Sequence, residues 1–334
     1  MKKILYIGNN LTNINPTPLL QLTKLFKDFG FEVFVYSNKK NRFLRLLEMC
    51  FGIFKHRNAN YIIIDTYSTT NFYFAFVTSQ LARLYSIKYI PVLHGGNLPK
   101  RIHKNPWLSK LIFKNAEINV SPSLYLQKEF EDKQFKTIFI PNAIDSKNYT
   151  FKKRNVFEPN LLWVRAFDKI YNPLMAVEVL FLLKKKYPSA GLCMIGADKD
   201  GSLQEVKKLA KQRGVFDSVE FTGLLSKLEW IRKSEAYDIL INTTTIDNMP
   251  VSVIEAMALG LPVVSTNVGG LPYLINDKKD GFLTEENNAT KMAEVIIGLI
   301  ENPEETTQIT LNARAKVMNF ELELVKMKWI KILN

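Results

Sequence analysis

The chain of 334 residues is poor in the residues that staple a fold or bind a metal. Its two cysteines, Cys50 and Cys193, are too few for a disulfide framework. Three histidines (His56, His94, His103) and no clustered cysteines exclude a zinc-ribbon type of site. No stretch reaches the roughly 18 apolar residues of a membrane-spanning helix. The apolar start Ile4–Ile7 soon meets Asn9 and Asn10, too short for the core of a signal peptide, so a cytoplasmic location is expected. Acidic residues are scarce early on. Residues 1–150 hold 21 Lys and Arg against 9 Asp and Glu, a net charge of +12, whereas 151–334 carry +1. Such asymmetry implies an anionic partner for the first half alone: nucleic acid, membrane surface or acidic substrate.

What is present is an ordinary globular composition, 47% hydrophobic and 23% charged, which excludes a disordered, collagen-like or coiled-coil chain. At about 150 residues per domain, the length predicts two domains. Strands and helices alternate. Ile4–Ile7, Phe31–Tyr36, Tyr61–Asp65, Lys88–Leu93, Glu117–Val120 and Thr137–Ile140 read as strands, with helices at Leu19–Phe29 and Phe72–Tyr85. Gly30 stands where a helix C-cap belongs. After Pro141–Asp145, the polar and basic stretch Ser146–Asn155 reads as a linker. The alternation then restarts, with strands at Leu161–Val164, Gly191–Ile195, Val219–Phe221, Ile239–Asn242 and Pro262–Thr266, and a mostly helical remainder. Parallel strands joined by crossover helices make a doubly wound sheet, here expected twice, with ligands at the carboxyl ends of the strands.

The segment Asp247–Gly270 carries the chemistry. Pro250 suits the first turn of a helix, Gly260 the residue just past its end, and the strand Val263–Ser265 follows Pro262. Between Pro250 and Val264, Glu255 is the one charged residue. A carboxylate on a short apolar helix needs hydrogen-bond donors to stay ionised. Ligand hydroxyls would serve, as ribose does in dinucleotide-binding domains; a buried Glu paired with an Arg is the alternative. Free N–H groups near Pro250–Ser252 would attract a phosphate. Asp247, in the loop before, suits further hydroxyls or is an ordinary loop residue. Gly269 and Gly270 permit close backbone approach.

This segment resembles the donor-site signature of the family-4 retaining glycosyltransferases, among the group 1 glycosyl transferases. That signature reads like E-x-x-P-x-x-x-x-E-A-M-A-x-G-x-P-V-V followed by V-G-G. Asp247 stands at the first acidic position, where the family usually has Glu, and Glu255 at the second; Pro250, Gly260, Pro262, Val263, Val264, Val268, Gly269 and Gly270 fit. Ile140–Asp145 resembles the P-N-G-V-D motif, with Ala143 for the Gly. Ala116–Ser121 resembles A-D-x-x-x-x-S, and Leu93-His94-Gly95 the L-H-[GD] turn at a strand end. Trp163–Lys169 resembles the segment that supplies an Arg and a Lys to the donor diphosphate; Lys169 stands four after Arg165 where the family has five. Gly281-Phe282-Leu283 resembles the G-[FL]-L ahead of the late helices. Members often carry Gly-Gly after strand one; here the loop is Gly8-Asn9-Asn10.

The resemblance implies the α/β GT-B fold, two facing Rossmann-like doubly wound domains with a central cleft. Residues 1–150 would form the acceptor side, 151–318 the nucleotide-sugar side, and 319–334 a C-terminal helix crossing back to the first domain. It implies a metal-independent, retaining, hexosyltransferase-type enzyme. A sugar would pass from a UDP- or GDP-linked donor, a substrate rather than a cofactor, to a saccharide or lipid-linked acceptor in cell-envelope polysaccharide or glycolipid synthesis. Glu255 would hold the ribose, Arg165 and Lys169 the diphosphate, and Met249, Pro250 and Val251 the sugar. His94 and Asp247 would serve the reacting centre, and Gly8 and Asn9 a phosphate or acceptor loop. Preorganised cations and helix N–H groups would stabilise charge on the leaving phosphate. Read singly, His94 is equally at home as a structural histidine and Lys169 as a solvated loop residue.

Two basic, aromatic stretches remain in the first half. In 39–57, Phe43, Leu46, Leu47, Cys50, Phe51 and Phe54 recur at helical spacing between Lys39, Lys40, Arg42 and Arg45 at one end and Lys55 and Arg57 at the other. The stretch 100–114 adds Lys100, Arg101 and Trp107. Basic amphipathic helices with aromatics lie in a lipid interface, so these residues suit an anionic membrane or acceptor face, with peripheral attachment at the inner side of a membrane. The plainer reading turns the apolar stripes to the sheet and leaves the cations solvated. Nucleic acid is not expected, since no recognised module is present. A catalytically silent two-lobed sugar-binding protein and a nucleotide-sugar epimerase of the same fold are the other readings.

Overall fold

The computed structural model describes residues 1–8 and 18–334; Asn9 and Asn10, named above, lie outside the described residues. The chain divides into two compact units, Met1–Asn142 with Val325–Asn334, and Ala143–Leu324.

The first unit is built on six parallel strands, β1 (Lys3–Ile7), β2 (Glu32–Tyr36), β3 (Tyr61–Thr66), β4 (Lys88–Leu93), β5 (Asn119–Ser121) and β6 (Thr137–Phe139), in the order β2-β1-β3-β4-β5-β6. β1 stands between β2 and β3, with Ile4 opposite Val33 and Tyr61. β3 is buried along its whole length, as befits a strand covered by helices on both faces. The strand order reverses between β1 and β3, and ligands collect at the carboxyl ends beside such a reversal. The C-terminal helix Leu322–Leu333 brings Val325, Trp329 and Leu333, spaced i, i+4, i+8, into the interior. Trp329 packs edge-on to Phe26 at 5.3 Å between ring centroids, and the Lys2 ammonium donates to the Leu333 carbonyl at 2.8 Å.

In the second unit β7 (Asn160–Val164), β8 (Gly191–Ile195), β9 (Val219–Gly223), β10 (Ile239–Asn242), β11 (Val263–Thr266) and β12 (Phe282–Thr284) run parallel in the order β12-β11-β10-β7-β8-β9. Here the reversal lies between β7 and β10. The core gathers Trp163 and Phe167 with the fully apolar face of the helix Pro173–Lys184 and Met292 and Ile296 of Ala289–Glu301. The helix Val251–Leu259 starts with Pro250 as its N-cap and ends on Gly260 at φ +79°. No ordinary side chain would serve at Gly260, because a Cβ there would lie 2.6 Å from the Lys152 carbonyl.

Two sequence readings change. Phe282–Thr284, read into a helical remainder, is a short edge strand pairing Val264 with Phe282; three residues are too few for periodicity to show. The stretch Ser146–Asn155 is not a loose linker. Tyr149 is 2% exposed and Arg154 5%. Arg154 donates to the carbonyls of Lys152, Gly260 and Tyr237 and pairs with Asp238 at 3.2 Å. Tyr149 and Arg154 thus anchor an otherwise mostly exposed stretch, and Arg154 can be buried because its charge finds fixed acceptors.

Candidate active site

Arg165 leaves β7 at the sheet reversal. A Cβ on Gly196 would stand 1.8 Å from the Arg165 carbonyl oxygen, so only glycine lets β8 exit this close beside it. The guanidinium is enclosed. It pairs with the Asp247 carboxylate, lies 4.7 Å over the Tyr171 ring and donates from Nε to Asn242 Oδ1 at 3.4 Å. Burial pulls its pKa below the usual arginine range while Tyr171 pulls it back; arginine starts so high that it stays charged.

A cavity of about 370 Å³ opens beside Arg165, lined also by Lys199, Asp247, Met249, Pro250 and the first helical residues Val251 and Ser252. The helix that begins there has no side-chain cap. Its first N–H groups and the positive end of its dipole therefore face an anion-sized space. Asp247 is held on several sides: Oδ1 accepts from the Asn248 N–H at 2.9 Å, Oδ2 meets Arg165, and its carbonyl accepts from the Gly270 N–H at 3.0 Å. Gly269 and Gly270 make this loop-to-loop packing feasible. A Cβ on Gly269 (φ +55°) would lie 2.2 Å from the Asp247 carbonyl oxygen, and one on Gly270 1.7 Å from that of Asn248. The close approach expected at this pair is thus made by the chain's own backbone.

Glu255 lies one turn into the same helix and does not line the cavity. Its Oε1 accepts from the Tyr149 hydroxyl at 2.6 Å and meets the Lys227 ammonium at 2.7 Å. The buried carboxylate is thus partnered by Lys and Tyr rather than Arg. Desolvation, the Glu255 charge and this bond push the Tyr149 phenol well up. Sequence reasoning missed both partners, because each is over 25 residues away in the chain and neither sits in a motif. Lys169 stands apart from the cavity. Its side chain is 70% exposed and pairs with Glu205 at 3.5 Å. The short turn Lys169–Tyr171 fixes this: the Asp200 carboxylate takes the Lys169 N–H at 2.9 Å, and the side chain faces the α-helix Ser202–Gln212.

In the first unit His94 follows β4, its N–H held by the Thr66 carbonyl at 2.9 Å. The ring Nε2–H donates to Asp65 Oδ1 at 2.8 Å, and the ring stacks on Tyr67 with centroids 5.0 Å apart. The Tyr6 hydroxyl donates to the same oxygen at 2.9 Å. Burial first, then the Asp65 charge, drives the Tyr6 and Tyr67 phenols well above their usual range. A Cβ on Gly8 would collide with Asp65 Oδ2 at 2.2 Å, so Gly8 makes room for the carboxylate. Asp65 went unremarked in the sequence, although a single carboxylate closing the apolar run of β3 at the sheet reversal was a readable signal.

The basic face is split. Lys39, Lys40, Arg42 and Lys100 are exposed, and Trp107 is 68% exposed. Arg45 is buried and turns inward, donating to the Lys39 and Lys40 carbonyls. Arg101 is half-buried, bound to the Ser68 carbonyl at 2.7 Å and lying over Phe72 and Tyr73. These two satisfy the chain's own acceptors and rings rather than facing a partner. On the helix Arg42–Lys55, Met49, Gly52 and Ile53 face inward, while Phe43, Leu44, Leu47, Phe51 and Phe54 are each at least 50% exposed. The helix thus carries two apolar stripes, and only one is used by the sheet. Among the described residues no three His, Cys, Asp or Glu side chains gather as a metal site, and no helix is long and apolar enough to cross a membrane.

Residues 145–316, the span that holds Arg165, Lys199, Asp247 and Glu255, match the family model of the glycosyl transferases group 1. The chain belongs to this family. The group 1 chain is 30% identical over 211 residues to an uncharacterized glycosyltransferase of Haemophilus influenzae, covering 62% of this chain and 57% of that protein. It is 26% identical over 253 residues to the amylovoran biosynthesis glycosyltransferase AmsK of Erwinia amylovora, covering 69% and 59%. These matches span less than three fifths of each curated relative's length. In structure it resembles HepE of Anabaena in complex with UDP-glucose (TM-score 0.83, 17% identity, covering 100% of this chain and 99% of that one). It also resembles sucrose-phosphate synthase of Thermosynechococcus elongatus (TM-score 0.85, 17%, covering 99% and 98%). The likeness establishes the GT-B fold.

Proposed function

We propose that this group 1 chain is a retaining glycosyltransferase. It takes a UDP- or GDP-linked hexose and passes the sugar to a saccharide or lipid-linked acceptor in cell-envelope polysaccharide or glycolipid synthesis, in the cytoplasm. The observation that carries this reading is the cavity where Arg165 meets the uncapped start of the helix Val251–Leu259, within the family-matched segment. A nucleoside diphosphate fits it: cation and helix N–H groups suit phosphate oxygens. Charge grows on those oxygens as the glycosidic bond breaks, and groups already in place stabilise it most in the transition state, so no metal is needed. The Tyr149 and Lys227 contacts of Glu255 both fall on Oε1, which leaves Oε2 for a ribose hydroxyl. Met249, Pro250, Val251 and Asp247 border the sugar's place. The first unit serves the acceptor, with the Asp65–His94 pair and Gly8 at the strand ends. The UDP-glucose complex of HepE and the biosynthetic name of AmsK support the donor and pathway class.

The same reading assigns the outward stripe Phe43, Leu44, Leu47, Phe51 and Phe54, with Lys39, Lys40, Arg42 and Lys100, to an anionic membrane surface that carries the acceptor. Apolar side chains enter the acyl boundary while the cations meet lipid head groups.

A thermal-shift panel of UDP-, GDP- and ADP-sugars tests the donor: one of them should raise the melting temperature, and no response to any of them or to the free nucleotides refutes the reading. Release of free sugar separates a transferase from a silent binding protein, and an epimerised product would indicate the rival enzyme. For the membrane, flotation with phosphatidylcholine vesicles with and without phosphatidylglycerol should show binding to the anionic set alone, lost in a Phe43→Ser/Phe51→Ser double variant.

A further inference from the structure

The group 1 pattern places a lysine shortly after the arginine on the donor diphosphate, and by sequence that residue is Lys169. The structure gives Lys169 other work. Its side chain is 70% exposed and paired with Glu205, and its N–H is bound by Asp200. The cavity beside Arg165 nevertheless has a second cation, Lys199. Lys199 sits in the loop between β8 and the helix Ser202–Gln212, at the carboxyl end of the strand next to β7.

The loop is built to present it. Gly196 lets β8 leave in contact with the Arg165 carbonyl, and the Lys199 N–H donates to the Phe167 carbonyl at 2.9 Å. The flanking carboxylates are turned to backbone amides: Asp198 accepts from the Gly201 N–H at 3.0 Å, and Asp200 from Ser202 at 3.0 Å and Lys169 at 2.9 Å. The Lys169 N–H first, then the Ser202 hydroxyl and N–H, hold the Asp200 carboxyl below the usual range. Among the described residues Lys199 makes no ion pair, although Asp198 and Asp200 are its chain neighbours.

We propose that Lys199, together with Arg165, binds the diphosphate of the nucleotide-sugar, and that Lys169 does not. The proposal rests on the donor reading above. The displaced lysine follows from the spacing: four residues after Arg165 the chain is already in the Lys169–Tyr171 turn, bound to Asp200, and the cation comes from the neighbouring strand instead.

The test is calorimetric titration of the intact chain with UDP, GDP and ADP, followed by the best binder's monophosphate. Lys199→Ala should weaken the diphosphate about tenfold, as loss of one charge-assisted phosphate contact does, and the monophosphate less. Lys199→Arg should stay within about threefold of the wild type, and Lys169→Ala within about twofold. Because Lys199 is exposed and its side chain makes no ion pair among the described residues, its variants should melt with the wild type, which excludes misfolding as the cause. A greater loss in Lys169→Ala than in Lys199→Ala, or equal loss for the mono- and diphosphate, overturns the assignment. A wild-type chain that binds none of the three refutes the donor reading itself, and the assignment with it.

Discussion

Glu255 offers the sharpest separation of a site residue from a packing residue. Its carboxylate is 5% exposed as a residue and holds the Tyr149 hydroxyl at 2.6 Å and the Lys227 ammonium at 2.7 Å. Truncation to Ala leaves the Tyr149 hydroxyl buried without its acceptor, at about 1–3 kcal/mol. The Lys227 contact adds less, about 0.5–1 kcal/mol, because that side chain is a third exposed and screened. Glu255→Ala should therefore cost about 1.5–4 kcal/mol, and any lost ligand binding in it is confounded by lost structure. Glu255→Gln keeps the shape and an acceptor for Tyr149, so its stability cost should be about 1 kcal/mol, or about 2–4 °C for a unit of this size. A ribose hydroxyl, by contrast, loses a charged acceptor, worth about 1–2 kcal/mol or roughly 5–30-fold in Kd. The assay pairs thermal melting with calorimetric titration of the nucleoside diphosphate. A Gln variant that melts several degrees lower yet binds the nucleotide unchanged would refute the ribose role and leave Glu255 as the anchor of Tyr149.

Other expectations follow from single contacts. Gly270→Ala must displace the Asn248 carbonyl, 1.7 Å from the new Cβ, and break the Gly270 to Asp247 bond; we expect about 2–4 kcal/mol of destabilisation by melting, with loss of the Arg165–Asp247 geometry. His56, stacked on Phe34 and bonded to the Tyr36 hydroxyl at 3.0 Å, has its pKa lowered chiefly by burial and next by Lys55. A histidine whose folded pKa lies below its unfolded one takes up a proton on unfolding, so stability should be full above about pH 6.5 and fall as pH drops below it. His56→Phe should flatten that slope in pH-dependent melts, and an unchanged slope would count against it. Cys193 is buried and its thiol is pushed up to about 11, mainly by desolvation, so native alkylation at pH 8 should spare it and modify the half-exposed Cys50 first, read by peptide mass spectrometry.

The strands Lys88–Leu93, Gly191–Ile195 and Ile239–Asn242 stood in the sequence at their observed bounds or within a residue of them, because apolar runs between turn residues leave little choice. The same holds for Gly260, whose left-handed φ only glycine adopts easily, and for the acidic, Pro- and Gly-punctuated run Asp247–Gly270, whose residue types marked a ligand-binding segment and whose resemblance to the family signature implied a donor site. These are local properties, fixed by neighbours in the chain. Partnership is different. That Lys199 rather than Lys169 shares a cavity with Arg165, that Glu255 is held by Tyr149 and Lys227, and that Asp65 backs His94 depends on which strand ends the sheet order sets side by side. The two stripes of Arg42–Lys55 make the same point: its apolar periodicity was legible, but burial of Met49 and Ile53 against exposure of Phe43 and Phe51 depends on where the sheet lies. A sequence records the chemistry each residue brings; the fold decides which residues, far apart in the chain, spend that chemistry on one another.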